Sequence, residues 1–143
     1  MEERQKIENE RKKEYLWGYR KACKRLAVLE EQLVSIQQVE ASAKTQQLSD
    51  MPKGGGHQAD LSDLMVKIEK IQRKMDAAKV EAMRVKVDIE LKIAEMADPD
   101  EQMVLRMRYI EGKKWNYISE KMKYSWRQVI NIHGRALLNV QIK

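Results

Sequence analysis

Close to the C-terminus, a few residues have the types and spacing needed to read a nucleic acid duplex. Ser125 is followed by Trp126, Arg127 and Gln128, and then by Asn131 and Arg135 at helical spacing. In a major groove, Arg pairs bidentately with guanine, and Gln or Asn pairs with adenine. A helix starting just after Ser125 would turn Val129, Ile132, Ala136 and Leu137 inward. Arg127, Gln128 and Asn131 would then project outward in its first turns, with Arg135 at the margin. The expected base contacts are therefore Trp126, Arg127, Gln128, Asn131 and Arg135. The Ser125 hydroxyl, at the helix N-terminus, can face a phosphate. Lys113, Lys114, Lys121 and Lys123 stand beside this helix, where they would touch phosphates and fix register without reading bases.

Elements to position these residues can be read on either side. Asp98-Pro99-Asp100-Glu101 is a helix start, with Asp98 as N-cap, Pro99 at the first helical position and Glu101 closing a capping box. That helix runs to Ile110 and stops at Gly112, with Val104, Leu105, Met107, Tyr109 and Ile110 as its apolar face. A short helix from about 114 to 122 turns Trp115, Ile118 and Met122 inward. Lys123-Tyr124 makes a turn, and Ser125 caps a third helix from Trp126 to about Val140. Two short helices across a tight turn, the second presenting polar residues, form the reading unit of helix-turn-helix proteins.

Upstream, the pattern changes to two long helices. Leu16, Tyr19, Cys23, Leu26, Leu29, Leu33 and Ile36 recur in steps of three and four, so one helix is expected over about 2–48. Charges such as Lys12, Lys13, Glu30 and Glu31 lie mainly off that stripe. The second seam is Leu61, Leu64, Ile68, Ile71, Met75, Ala78, Ala82, Val85 and Ile89, alternating three and four over about 60–97, the repeat of a left-handed coiled coil. Pro52 and Gly54-Gly55-Gly56 mark a loop over 49–59. The expected architecture is all-α: an antiparallel helical hairpin over 1–97, then a helix-turn-helix domain over 98–143. The seams are equally able to pair between chains, which leaves a homo-oligomer open.

Charge points to the same end of the chain. From Arg106 to Lys143, nine lysines and arginines stand against two glutamates, whereas residues 1–97 carry 19 against 17. A concentrated positive excess of this kind suits an anionic partner. The single cysteine, Cys23, excludes an intrachain disulfide and fits a reducing cytoplasm. The charged N-terminus lacks a signal-peptide core, and no apolar run is long enough for a membrane span.

Other chemistries find little support. Gly54-Gly55-Gly56 is followed by His57 rather than the Lys-Ser/Thr of a phosphate-binding loop, and no strand precedes it. His57, Cys23 and His133 lack metal-ligand spacing, so neither a metal nor a cofactor is expected. No nucleophile–base pair or catalytic carboxylate set is present, and the expectation is a protein that is not an enzyme. His133 is read as solvated or hydrogen-bonded. Met75, Met83, Met96, Met103 and Met107 are read as packing in helix seams.

The run from Val104 to Gly112, then Trp115-Asn-Tyr-Ile118, Tyr124-Ser-Trp-Arg-Gln-Val129 and Gly134-Arg-Ala-Leu137 resembles region 4 of the sigma-70 family over about 45 residues. Ser125, Val129, Ile132, Ala136 and Leu137 fall on that family's recognition-helix pattern without a gap. Trp115 and Ser119 depart from its support helix. With the Met51-Pro52-Lys53-Gly54 turn included, the chain also resembles small phage regulators of the ArpU and RinA type, which activate late genes. The resemblance implies a sequence-specific transcription regulator acting on double-stranded DNA in a bacterial host cytoplasm, with RNA polymerase as a further partner. Two rival readings are a phage small terminase-like packaging protein and a protein that binds polymerase or a sigma factor through the hairpin.

Overall fold

The structure is a computed structural model that describes residues 1–49 and 56–142. Every regular element among the described residues is helical. These are α1 (Glu2–Leu16), α2 (Gly18–Ser49), α3 (Gly56–Ala94), α4 (Pro99–Leu105), a π-helical turn (Arg106–Ile110), α5 (Trp115–Met122) and α6 (Trp126–Asn139). The expected loop lies outside the described residues over 50–55. Its remaining positions, 49 and 56–59, are helical. No described helix is long and apolar enough to cross a membrane.

In place of one N-terminal helix there are two, meeting at Trp17. The backbone bonds Trp17 N–H to Lys13 O (2.8 Å) and Lys21 N–H to Trp17 O (2.9 Å) carry the helical pattern across the junction. It is therefore a bend. Gly18 supplies the cause, since glycine is among the poorest helix formers and marks many kinks.

The chain divides into two compact units, Met1–Ala22 with Ala82–Lys143, and Cys23–Glu81. In the second unit the heptad residues behave as their spacing predicts. Ile68 is buried, while Leu26, Leu29, Leu33, Ile36, Leu64, Ile71, Met75 and Ala78 are half-buried between exposed neighbours. Among its described residues this unit holds two helices, so each seam has at most one other helix to cover it.

In the first unit, the bend packs antiparallel to the end of α3. The Tyr15 hydroxyl donates to Asp88, a Cβ at Gly18 would lie 3.5 Å from Val85, and Lys86 Nζ lies 5.8 Å from the Tyr19 ring centroid. One hydrophobic cluster joins Leu16, Ile89 and Ile93 to Leu105, Tyr109, Ile110, Ala136, Leu137 and Val140. Another holds Val104, Met107, Ile118, Val129 and Ile132. Burying an aliphatic or aromatic side chain contributes roughly 1.5–3 kcal/mol, so both clusters are needed to hold three helices this short. The helix from Pro99 to Ile110 serves both clusters. Val104, Leu105, Met107, Tyr109 and Ile110, expected to share one face, instead spread around the helix, and all five are buried because it is covered from both sides. Met75 and Met96 are half-buried and Met107 is buried, but Met83 and Met103 are 66% and 45% exposed and are not seam residues.

Candidate nucleic-acid interface

Helix α6 is set by its own N-terminal chemistry. The Ser125 Oγ accepts from Gln128 N–H (3.1 Å), and the Gln128 Oε1 accepts from Ser125 N–H (2.9 Å), a reciprocal capping box. Capping of this kind is worth about 1 kcal/mol. It also commits the Gln128 carbonyl oxygen to the protein. Gln128 keeps its NH₂ for a ligand, but the bidentate pairing with adenine expected from its type requires opening the box. Ser125 keeps its O–H as a donor to phosphate.

The turn before α6 is tight. Lys123 adopts the left-handed conformation (φ 61°, ψ 35°), the only described non-glycine residue with positive φ. Its N–H and that of Tyr124 close the end of α5 on Glu120 O (3.3 Å) and Ser119 O (3.2 Å). Ser119 Oγ donates to Tyr124 O at 2.7 Å. The left-handed backbone costs a lysine roughly 1–2 kcal/mol, and that lysine is exposed.

With Val129, Ile132, His133, Ala136 and Leu137 buried, the opposite side of α6 presents Arg127, Gln128, Asn131 and Arg135, all exposed. Trp126 is 53% exposed. At about 100° per residue it lies off the Arg127–Asn131 line, toward the azimuth of His133 and Leu137, so it flanks the stripe. Lys114, Lys121, Lys123 and Ser125 are exposed, and half-buried Lys113 places its Nζ 4.8 Å from the Tyr117 ring centroid. A shallow cleft of about 250 Å³ runs beside α6, lined by Asp100, Tyr124, Gln128, Asn131, Ile132 and Arg135. The Tyr124 hydroxyl donates to Asp100 Oδ2 at 2.7 Å, and that bond raises the pKa of the phenol.

The acidic start of α4 departs from expectation. Asp98 caps it by accepting from Asp100 N–H at 2.9 Å. Glu101 is buried, and its Oε1 accepts from Asn139 Nδ2 of α6 at 2.7 Å rather than closing a capping box. The end of α6 lies within reach and offers an amide donor to a carboxylate that is itself out of water.

Several basic residues are taken up by contacts within the fold. Lys12, expected off the apolar stripe, is 7% exposed, and its ammonium donates to Leu137 O (2.8 Å) and Leu138 O (3.3 Å). It caps the C-terminus of α6, where carbonyls lack partners and the helix dipole favours a cation. Arg20 donates to Ile110 O (3.4 Å) at the end of the π-helical turn. Arg108 donates to Lys113 O (3.1 Å), with its guanidinium 5.3 Å from the Trp17 centroid and 4.4 Å from that of Trp115. Arg106 pairs with Glu90 (3.0 Å) and Glu111 (3.4 Å).

The Trp17–Arg108–Trp115 stack continues into a closed ring of planar side chains. Trp115 meets His133 edge-on (4.8 Å), His133 stacks with Tyr109 (5.8 Å), and Tyr109 meets Trp17 edge-on (4.9 Å). The Tyr109 hydroxyl and His133 Nε2 share a 2.8 Å hydrogen bond. Burial, with Lys13 and Arg108 adding to it, pushes the His133 pKa down to about 4, so the ring is neutral at pH 7 and inaccessible to phosphate. Burial likewise raises the Tyr109 pKa, against the pull of Arg108. Sequence spacing carries no signal for Lys12, Arg20 or this ring, since each joins residues far apart in the chain.

No curated protein and no solved structure matches this chain. A family model described as a protein of unknown function, DUF1492, matches residues 39–140. That span takes in the end of α2, all of α3 and the C-terminal helices as far as Val140, and the chain belongs to the DUF1492 family.

Proposed function

We propose that this DUF1492 protein is a sequence-specific, duplex-DNA-binding transcription regulator, with α5, the Lys123-Tyr124 turn and α6 acting as a helix-turn-helix of the sigma region 4 kind. The observation that carries this reading is the two-sidedness of α6. Its packed face is closed by apolar residues, while Arg127, Asn131 and Arg135 stand exposed in a line on the other. Arg127 and Asn131 would pair with base edges, and Arg135 would reach the margin of the site. Gln128 would contribute its NH₂ group. Lys113, Lys114, Lys121, Lys123 and the Ser125 hydroxyl would meet phosphates, and Trp126 would lie against the sugar–phosphate rim. The lysines provide affinity that falls with salt as counterions are released. RNA polymerase would be the partner of an activator bound in this way, and a phage late promoter the target that the sequence resemblance implies.

Selection from a random duplex pool with wild type, Arg127→Ala and Asn131→Ala tests the reading. A lost bidentate contact costs about 1–3 kcal/mol and relaxes preference at one base pair. Each variant is expected to lose information at its own position and keep the rest of the motif. Recovery of the full motif by both variants refutes this assignment of base contacts. Enrichment of packaging-site DNA over promoter DNA would place the protein with the small terminases.

A further inference from the structure

Gly134 occupies the ninth position of a 14-residue helix, Trp126–Asn139, with no conformational reason to be there. Gly112 and Lys123 are the described residues with positive φ, so Gly134 has ordinary helical backbone that any residue could adopt. A glycine in a helix interior is destabilising relative to alanine. Such a residue is usually explained by a neighbour that leaves no room for a side chain. None exists within the protein, because a Cβ built at Gly134 meets nothing within 4 Å. The space over this part of α6 is open, and the fold gives up stability to keep it bare.

The surroundings indicate what fills the space. At about 100° per residue, Gly134 falls within roughly 60° of Arg127, Asn131 and Leu138 on one side and of half-buried Ile130 and buried Leu137 on the other, opposite the packed residues Val129 and Ala136. Arg127, Asn131 and Leu138 are exposed, Leu138 at 49%. On the other flank of the same exposed stripe stand Gln128 and Arg135, beside an Asp100 already held by the Tyr124 hydroxyl. Bare helix backbone beside Arg127 and Asn131 allows a closer approach than any side chain would.

We infer that bound duplex DNA lies directly against the backbone of α6 at Gly134, its point of closest approach to the helix. The inference rests on the DNA-binding reading above and adds a contact made by the absence of a side chain. It requires opposite signs for stability and binding, which a purely structural glycine would not produce.

The test measures thermal melting and duplex affinity for wild type, Gly134→Ala and Gly134→Leu in the full chain. The probes are a random-sequence duplex pool and the tightest duplex selected from it by wild type. Gly134→Ala is expected to melt roughly 2–4 °C higher and to bind the selected duplex on the order of tenfold more weakly, with Gly134→Leu weaker still. A variant that melts higher yet binds as tightly as wild type overturns the inference and leaves the DNA-binding reading intact. A lower melting temperature for Gly134→Ala also overturns it, because the glycine is then required by the fold. If wild type binds neither probe, the proposed function has failed and the inference fails with it.

Discussion

Lys12 makes a demanding test of the structure, because its sequence context is that of an ordinary solvated lysine. In the fold it donates to Leu137 O at 2.8 Å and Leu138 O at 3.3 Å and is 7% exposed. Lys12→Met keeps most of the side-chain length and removes the ammonium. Two effects then combine. A hydrogen bond from a charged donor contributes about 1.5–3 kcal/mol, and a cation at a partly buried helix C-terminus adds up to about 2 kcal/mol. Against these stands the desolvation of the ammonium, several kcal/mol for a buried ion, which the variant recovers. Leu138 is exposed, so its carbonyl can turn to water, whereas Leu137, at 2% exposure, has little access to it. The net loss is expected to be about 2 kcal/mol. For a chain of this size that lowers the melting midpoint by roughly 4–8 °C. Circular dichroism melting at matched concentration measures it, and a Lys12→Ala variant controls for the fit of the methionine. If both variants melt within about 1 °C of wild type, Lys12 does not hold the end of α6 and the packing of α1 on α6 is wrong.

The remaining predictions concern other parts of the same unit. His133 has a folded pKa of about 4 against an unfolded value near 6.5, so the unfolded chain takes up the proton first. Stability from this group is complete above about pH 6.5 and falls by about 1.4 kcal/mol per pH unit down to about pH 4, roughly 3 kcal/mol in all. Urea titrations of wild type and His133→Gln across that range should converge at low pH, and parallel curves would contradict the burial of a neutral imidazole. Lys123→Gly relieves the left-handed backbone at φ 61°, so it should stabilise by about 0.5–1 kcal/mol while reducing the salt slope of DNA binding by about one. A stability gain with an unchanged slope would mean that this lysine touches no phosphate. Gly112→Ala places a Cβ 2.7 Å from the Arg20 guanidinium at a residue with φ 70° and should cost more than about 1 kcal/mol in chemical denaturation. A neutral result would mean that residue 112 does not hold a left-handed backbone.

Periodicity and local chemistry were enough to place most of α3, α5 and α6 and the faces that α3 and α6 bury, but not the bend at Trp17 or the all-round burial of the helix from Pro99 to Ile110. The seam from Leu61 to Ile89, the Ser125 start of α6, the Asp98-Pro99 start of α4 and the stop at Gly112 rest on contacts a few residues apart, and those spacings are visible in one dimension. The polar stripe of α6 was legible for the same reason: once Val129, Ile132 and Ala136 pack inward, Arg127 and Asn131 must face out. Only the tertiary structure decided what joins distant segments. Lys12 and Leu137 are 125 residues apart, and Arg20 and Ile110 are 90 apart. A lysine that caps a helix across such a separation has the same sequence signature as one facing water. The Glu101–Asn139 bond, the burial of His133 between Tyr109 and Trp115, and the inclusion of α1 in one compact unit with α4–α6 depend on the same long-range geometry. Gly134 lies between the two cases. Its position in a helix can be read from the sequence, but that no protein atom occupies the space beside it is a property of the folded chain alone.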